Sequence, residues 1–173
     1  GESGSVNYEE FTYEGYGPGN MAVYVEIVTD NRNRISAEMK HLFSKAGGNL
    51  GASGSVAWMF DKKGQIVVER TALMDEDEVM MQALDAGAED FVAQEDVFEI
   101  YTSPAEFSKV REALESAGYT FLKAEVAMIP QNTVNITDPE VVEKVNKFLD
   151  NLDDNDDVQE VFHNAILPEE DEE

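Results

Sequence analysis

The rhythm of hydrophobic and polar positions changes along this chain, and each change predicts an element. Over residues 21–28, Met21, Val23, Val25 and Ile27 alternate with Ala22, Tyr24, Glu26 and Val28, the period of a strand with one face in a core. Tyr8–Glu14 predicts a partner strand, and Gly-Tyr-Gly-Pro-Gly-Asn at 15–20 predicts the turn between them. The period then lengthens. Ile35, Met39, Leu42, Phe43 and Ala46 fall on one face of a helix. Thr29, Asp30 and Asn31 are competent N-caps, and Gly47 stands where a left-handed C-cap is wanted. A glycine-rich turn follows at 47–55, then a strand expected at Ser55–Phe60 with Val56, Trp58 and Phe60 on one side.

Lys62-Lys63-Gly64 predicts a turn into the strand Gln65–Glu69, and a helix is expected at Glu76–Ala86, closed by Gly87. Its leading acids, Asp75 to Glu78, suit the positive end of the helix dipole. Strands at Asp90–Ala93 and Val97–Tyr101 precede a helix opened by Ser103-Pro104-Ala105-Glu106, a capping box with proline at its first position. A strand through Leu122, Ala124, Val126 and Met128 completes a βαββαβ unit. Thr133–Ile136 predicts a short strand, Asp138-Pro139 opens a helix through Leu152, and Val158–Phe162 predicts a last strand. Set beside residues 21–60, this strand, helix and strand make a second βαββαβ unit. The expected fold class is therefore α+β, with two ferredoxin-like α/β-sandwich domains, one inserted in the other. The outer domain comprises 1–63 and 130–173, the inserted one 64–129, and Lys62–Gly64 and Pro130–Asn132 are the crossing linkers.

Composition narrows the function. With 173 residues and 42% hydrophobic positions the chain can bury a real core, and the absence of cysteine excludes disulfides, zinc thiolates and thiol catalysis. No run approaches the length of a membrane span. The formal charge of −25 is uneven: residues 1–70 carry nine acids against seven Lys or Arg, whereas 71–173 carry 28 against five. A phosphate-receiving surface is thus expected in the first seventy residues, or in a segment outside the chain. The opening Gly-Glu-Ser-Gly-Ser reads as a cut start, and the tail from Leu167 to Glu173 as a solvated end.

Catalytic chemistry finds little support. The two histidines, His41 and His163, are far apart in sequence. Gly51-Ala52-Ser53-Gly54-Ser55 brings its second glycine one residue early for a nucleophile elbow, and no lysine follows to make a P-loop. The acids at 153–157 lack the glycine and the bidentate glutamate of a calcium loop, since Val158 and Asn164 stand there. No catalytic residue, metal ligand or cofactor is expected. The polar face of the 32–45 helix is more informative, because Arg34, Glu38, His41 and Lys45, flanked by Arg32 and Lys40, make a stripe that apart from Glu38 is basic or titratable in an acidic protein. Arg32 and Arg34 could meet phosphate beside the helix start, with Asn31, Asn33 and His41 hydrogen-bonding bases or backbone. The turn with Tyr13, Tyr16 and Pro18 is either a plain hairpin loop or a protruding aromatic finger.

The run Val-Asn-Tyr-Glu-Glu-Phe-Thr-Tyr-Glu-Gly-Tyr-Gly-Pro-Gly, then Thr-Asp-Asn-Arg-Asn-Arg and Gly-Gly-Asn-Leu-Gly-Ala-Ser-Gly-Ser-Val-Ala-Trp-Met-Phe, resembles the YebC/PmpR family. So do Ala-Leu-Asp-Ala-Gly-Ala-Glu-Asp at 83–90 and Met-Ile-Pro-Gln-Asn-Thr-Val at 128–134. The resemblance covers essentially the whole chain and implies two α+β domains preceded, in the family, by a basic helical domain that this chain lacks. It implies a non-enzymatic regulator of gene expression. Such a regulator acts as a DNA-binding transcriptional regulator, or on ribosomes as a translation factor relieving stalls, including those at proline runs. Mitochondrial relatives activate translation of a cytochrome oxidase subunit. A monomeric, non-membrane protein of the bacterial cytoplasm is expected, with a mitochondrial location also open. Its contacts with DNA or rRNA would be Arg32, Asn33, Arg34, Lys40, His41 and Lys45, with Tyr13, Tyr16, Pro18, Met128, Pro130, Gln131 and Asn132 from loops. A rival likeness is to the ACT-type amino-acid-binding domain, also βαββαβ, which would make the chain a small-molecule sensor. That family usually places glycine in the strand-to-helix turn, where this chain has arginine and asparagine.

Overall fold

A computed structural model describes residues 7–169, so the expectations for Gly1–Ser5 and for the last four acids of the tail lie outside the described residues. The chain divides into two units: residues up to Phe60 with those from Pro130 onward, and Asp61–Ile129 between them.

The first unit begins with the hairpin β1 (Glu9–Tyr16) and β2 (Ala22–Thr29), in antiparallel register from Glu9 opposite Thr29 to Tyr16 opposite Ala22. Its turn does not protrude. Gly17 and Pro18 are buried, and a Cβ on Gly17 would come within 2.8 Å of the Phe148 ring. Of the two readings of this turn the plain hairpin loop holds and the aromatic finger does not: Tyr16 belongs to β1, and the small turn residues pack down onto the core. Helix α1 (Arg32–Lys45) follows, with Asn31 Oδ1 accepting from the Arg34 N–H at 3.0 Å and with Ile35, Met39 and Phe43 buried. The short strand β3 (Asn49–Gly51) then pairs with the end of β1.

The second unit opens with β4 (Phe60–Glu69), which runs without a break through Lys62–Gly64. The turn expected there is a strand. Gly64 pairs with Thr102, and a Cβ at this position would strike Thr102 and the Phe107 ring, so the glycine serves packing and not chain reversal. Helix α2 (Glu76–Ala86) is capped by Asp75 and closed by Gly87 at φ 116°. Strands β5 (Asp90–Ala93) and β6 (Val97–Thr102), helix α3 (Phe107–Ser116) and strand β7 (Phe121–Pro130) complete a sheet of order β5-β6-β4-β7. Ser103 Oγ accepts from the Glu106 N–H at 3.2 Å, but regular helix begins only at Phe107.

The chain then returns to the first unit through β8 (Val134–Asn135), α4 (Pro139–Asp153), β9 (Val158–His163) and β10 (Ala165–Ile166). That unit's main sheet has the order β3-β1-β2-β9, again the ferredoxin-like arrangement, with β1 in the slot expected for residues 133–136. Instead, β8 pairs in parallel with β10 as a separate ribbon. Chain entropy explains the exchange. β1 reaches β2 through a few residues and zips eight pairs, whereas β8 offers two residues after a long excursion. Helices α1 and α4 cover one face of this sheet, and Phe43 meets Phe148 edge-on at 5.0 Å.

Gly64→Ala should destabilise the second unit by about 1–3 kcal/mol through overpacking, read as a lowered urea midpoint at unchanged slope. A turn glycine would tolerate the methyl group, and an unchanged midpoint would contradict the packed-strand assignment.

Candidate nucleic-acid interface

The glycine-rich turn is organised by one carboxylate. Glu14, 3% exposed in the centre of the first sheet, accepts from the backbone N–H groups of Gly54, Val56 and Ala57 at 2.7, 2.9 and 2.7 Å. These bonds hold residues 57–59 as a 3-10 turn in place of the expected strand, because N–H groups turned inward to Glu14 cannot join a sheet ladder. Trp58 consequently points outward, 66% exposed, with Nε1 donating to Ser55 O at 3.0 Å, while Val56 and Phe60 are buried. The same geometry settles what this stretch of the turn binds. Three N–H groups of the kind that could cradle an external anion already hold an internal one.

Helix α1 divides into two chemically distinct ends. At its start the two arginines are occupied. Arg32 Nε lies 3.0 Å from Glu9 and its guanidinium sits 4.5 Å from the centre of the Phe11 ring. Arg34 approaches Asp157 at 2.6 Å, Asp30 at 3.3 Å and Glu38 at 3.8 Å. Desolvation pushes the Asp157 carboxyl up, but hydrogen bonds from Arg34 and from Thr29 Oγ1 at 2.8 Å outweigh it and hold the group below its ordinary range. Arg34 is raised in turn, chiefly by the hydrogen bond to Asp157. This cluster ties the end of β2 and the first turn of α1 to the turn before β9, so a phosphate would compete with three carboxylates for Arg34, while Arg32 spends only its Nε on Glu9.

Between the arginines Asn33 is exposed, and further along α1 so are Lys40, His41 and Lys45. Lys45 does not stand alone. Helix α4 lies beside α1, and Lys144 and Lys147 join Lys45 around a depression of about 230 Å³ floored by Leu42 and Phe148, with Asn151 at its edge. No carboxylate of the described residues forms an ion pair with any of these three lysines. Lys144 and Lys147 escape the reading of the sequence because they come from the acidic half of the chain. Their spacing of three on the polar face of α4 is the signal that could have found them.

The loop residues are scattered. Tyr13 lies in β1 with its ring 5.3 Å from Phe11, Tyr16 ends that strand half-buried, and Pro18 is buried. Met128 and Pro130 belong to β7. Gln131 donates from its backbone to Met59 O at 2.9 Å and from its side chain to Trp58 O at 3.2 Å, and Asn132 is exposed beside it. His163 is inward-facing on β9, where Nδ1 accepts from the Ala165 N–H at 3.1 Å and burial pushes its pKa down. Among the described residues no helix is long and apolar enough to cross a membrane.

Comparison with known proteins gives a consistent picture. Residues 8–165 match the family described as the TACO1/YebC second and third domain. A "Probable transcriptional regulatory protein" of Acetivibrio thermocellus is 58% identical over 164 residues, covering 95% of this chain and 68% of the relative. A relative of the same description from Clostridium novyi is 58% identical over 170 residues, covering 98% and 69%. The crystal structure of a conserved hypothetical protein from Aquifex aeolicus superposes with a TM-score of 0.83 at 46% identity, covering 96% of this chain and 68% of that one.

Two outcomes follow from the geometry. Glu14→Gln should cost about 1.5–3 kcal/mol of stability, since an amide NH₂ would confront backbone donors, and chemical denaturation with Leu114-centred packing of the second unit left intact would read it. An unchanged midpoint would mean the three hydrogen bonds are not holding the turn. His163, depressed in the fold, stays neutral while the unfolded chain takes up a proton below 6.5. Its contribution is therefore complete above that pH and is lost as pH falls toward its lower folded value. His163→Asn, which keeps an acceptor for Ala165, should flatten the stability profile just below pH 6.5, and an identical profile would refute the assignment.

Proposed function

The chain belongs to the TACO1/YebC family, and from that premise we propose that it is a non-enzymatic regulator of gene expression that acts on the ribosome by touching rRNA at a few points. The observation that carries this reading is the distribution of accessible positive charge. In a chain of net charge −25, the arginines of α1 are held by carboxylates. Lys45, Lys144 and Lys147, which no described carboxylate pairs, gather in one small area. Gripping a duplex along its length takes a track of many cations, each releasing counterions from a phosphate. A compact cationic spot with an acidic surround suits a large folded RNA met locally.

The side chains of α1 without an ion pair among the described residues, Asn33, Lys40, His41 and Lys45, form the contact surface, while Arg32 and Arg34, also exposed, are engaged by carboxylates at the helix start. Trp58, Gln131 and Asn132 offer a stacking and hydrogen-bonding edge elsewhere on the same unit. Tyr13 and Tyr16 belong to β1 and Pro18 is buried in the turn after it, so they serve the sheet and not the contact. The basic N-terminal domain implied by the family would add affinity, so this chain alone should bind more weakly than a longer form that carries it.

Competition decides between the two nucleic acids. At one fixed salt concentration, labelled protein should be displaced from purified ribosomes by unlabelled ribosomes and not by an equal phosphate concentration of duplex DNA. Displacement by duplex with no retention on ribosomes would replace the translational reading with a transcriptional one. Arg34→Ala should lower thermal stability while leaving ribosome affinity within about twofold, because a guanidinium held by carboxylates is not available to phosphate. A large affinity loss without destabilisation would restore Arg34 to the contact surface.

A further inference from the structure

We propose that the depression between α1 and α4 is a pocket for a single backbone phosphate of nucleic acid, with Lys45, Lys144 and Lys147 as its ligands. The inference rests on the nucleic-acid reading above and deepens it by assigning the phosphate-binding residues. Three lysines line it from helices almost a hundred positions apart in sequence, and no described carboxylate lies within ion-pair distance of any of them. Mutual repulsion makes such a cluster unfavourable unless an anion joins it, and at close range in a surface cleft each added opposite charge is attractive.

The floor suits a nucleotide, and the lysines must outweigh the negative pole of the α1 dipole, which hydrogen bonds at the helix end lessen. The last carbonyls of α1 would repel phosphate if bare, but Leu42 O, Phe43 O and Ser44 O accept from the N–H groups of Ala46, Gly48 and Gly47 at 3.2, 2.9 and 3.0 Å. Gly47, at φ +82°, has nothing within 4 Å of where a Cβ would stand, so the approach is open. Leu42 and Phe148 provide an apolar floor for a sugar, and the Asn151 amide can donate beside the lysines.

The same seam sets the size of the ligand. Past His41 it continues between Glu38 and Asp154, where a further phosphate would meet carboxylates. The pocket therefore admits one phosphate and rejects a continuous track. This selects a kinked or looped strand over a regular duplex, whose neighbouring phosphates would be forced along the acidic end.

The test compares two variants of equal charge, Lys144→Gln with Lys147→Gln, and Lys109→Gln with Lys123→Gln in the second unit. Both are titrated as full chain against purified ribosomes and short duplex DNA across a salt series. The first variant should lose about tenfold in ribosome affinity and flatten the salt slope by roughly 0.7 for the one phosphate no longer held, whereas the second should change less than about twofold. Glutamine keeps helix propensity, and a urea melt of each variant separates weakened binding from unfolding. Equal losses for both variants, or none for either, would overturn the pocket while leaving the ribosome reading in place if the parent chain still binds. Loss confined to duplex DNA would overturn both the ribosome reading and the one-phosphate pocket, leaving the lysines as contacts to a duplex.

Discussion

The first unit depends on a single buried carboxylate. Glu14 sits in a central strand and receives three backbone N–H groups from the segment that leaves β3 and becomes β4. A carboxylate placed there is tolerable only because each bond is charge-assisted, and losing the partners would leave a buried acceptor unsatisfied. The constraint works outward from this point. It curls residues 57–59 away from the sheet, exposes Trp58, buries Val56 and Phe60, and so fixes where β4 begins. Tight backbone approach completes the arrangement, because a Cβ at Gly48 would collide with the Tyr16 carbonyl.

The parts legible in the sequence are those with local causes. The caps at Asn31, Asp75 and Asp138 and the stripes they introduce locate three helices within a residue or two, and Gly87 marks its helix end. What escapes has nonlocal causes. The apolar alternation of Val56, Trp58 and Phe60 imitates a strand, and only a carboxylate some forty residues earlier makes it a turn. Gly64 looks like a turn residue until Phe107 is packed against it. Sequence order suggests residues 133–136 for a strand of the first unit's main sheet, whereas a short hairpin delivers β1 there at lower entropic cost.

The candidate interface divides in the same way. The basic stripe of α1 is visible as a pattern, and Lys45 does lie on an exposed edge. Pairing is invisible from one element: Arg34 meets Asp157 across 123 positions of chain, so the most promising cation proves the most occupied. The converse holds for Lys144 and Lys147. Regional charge assigns them to the acidic half, yet α4 packs beside α1, with the second unit inserted between them in sequence, and brings them to Lys45. Charge summed over sequence windows is thus a poor guide when a domain is discontinuous, because the fold and not the chain order decides which charges share a surface.

On the reading proposed above, the protein recognises its target by where its unpaired cations lie. The structure of the protein bound to a ribosome tests that account most directly. It should place an rRNA phosphate within about 3 Å of Lys45, Lys144 or Lys147 with the Asp157–Arg34 cluster intact. A complex in which this depression faces solvent, and Arg32 and Arg34 have left their carboxylates to grip phosphate, would contradict it.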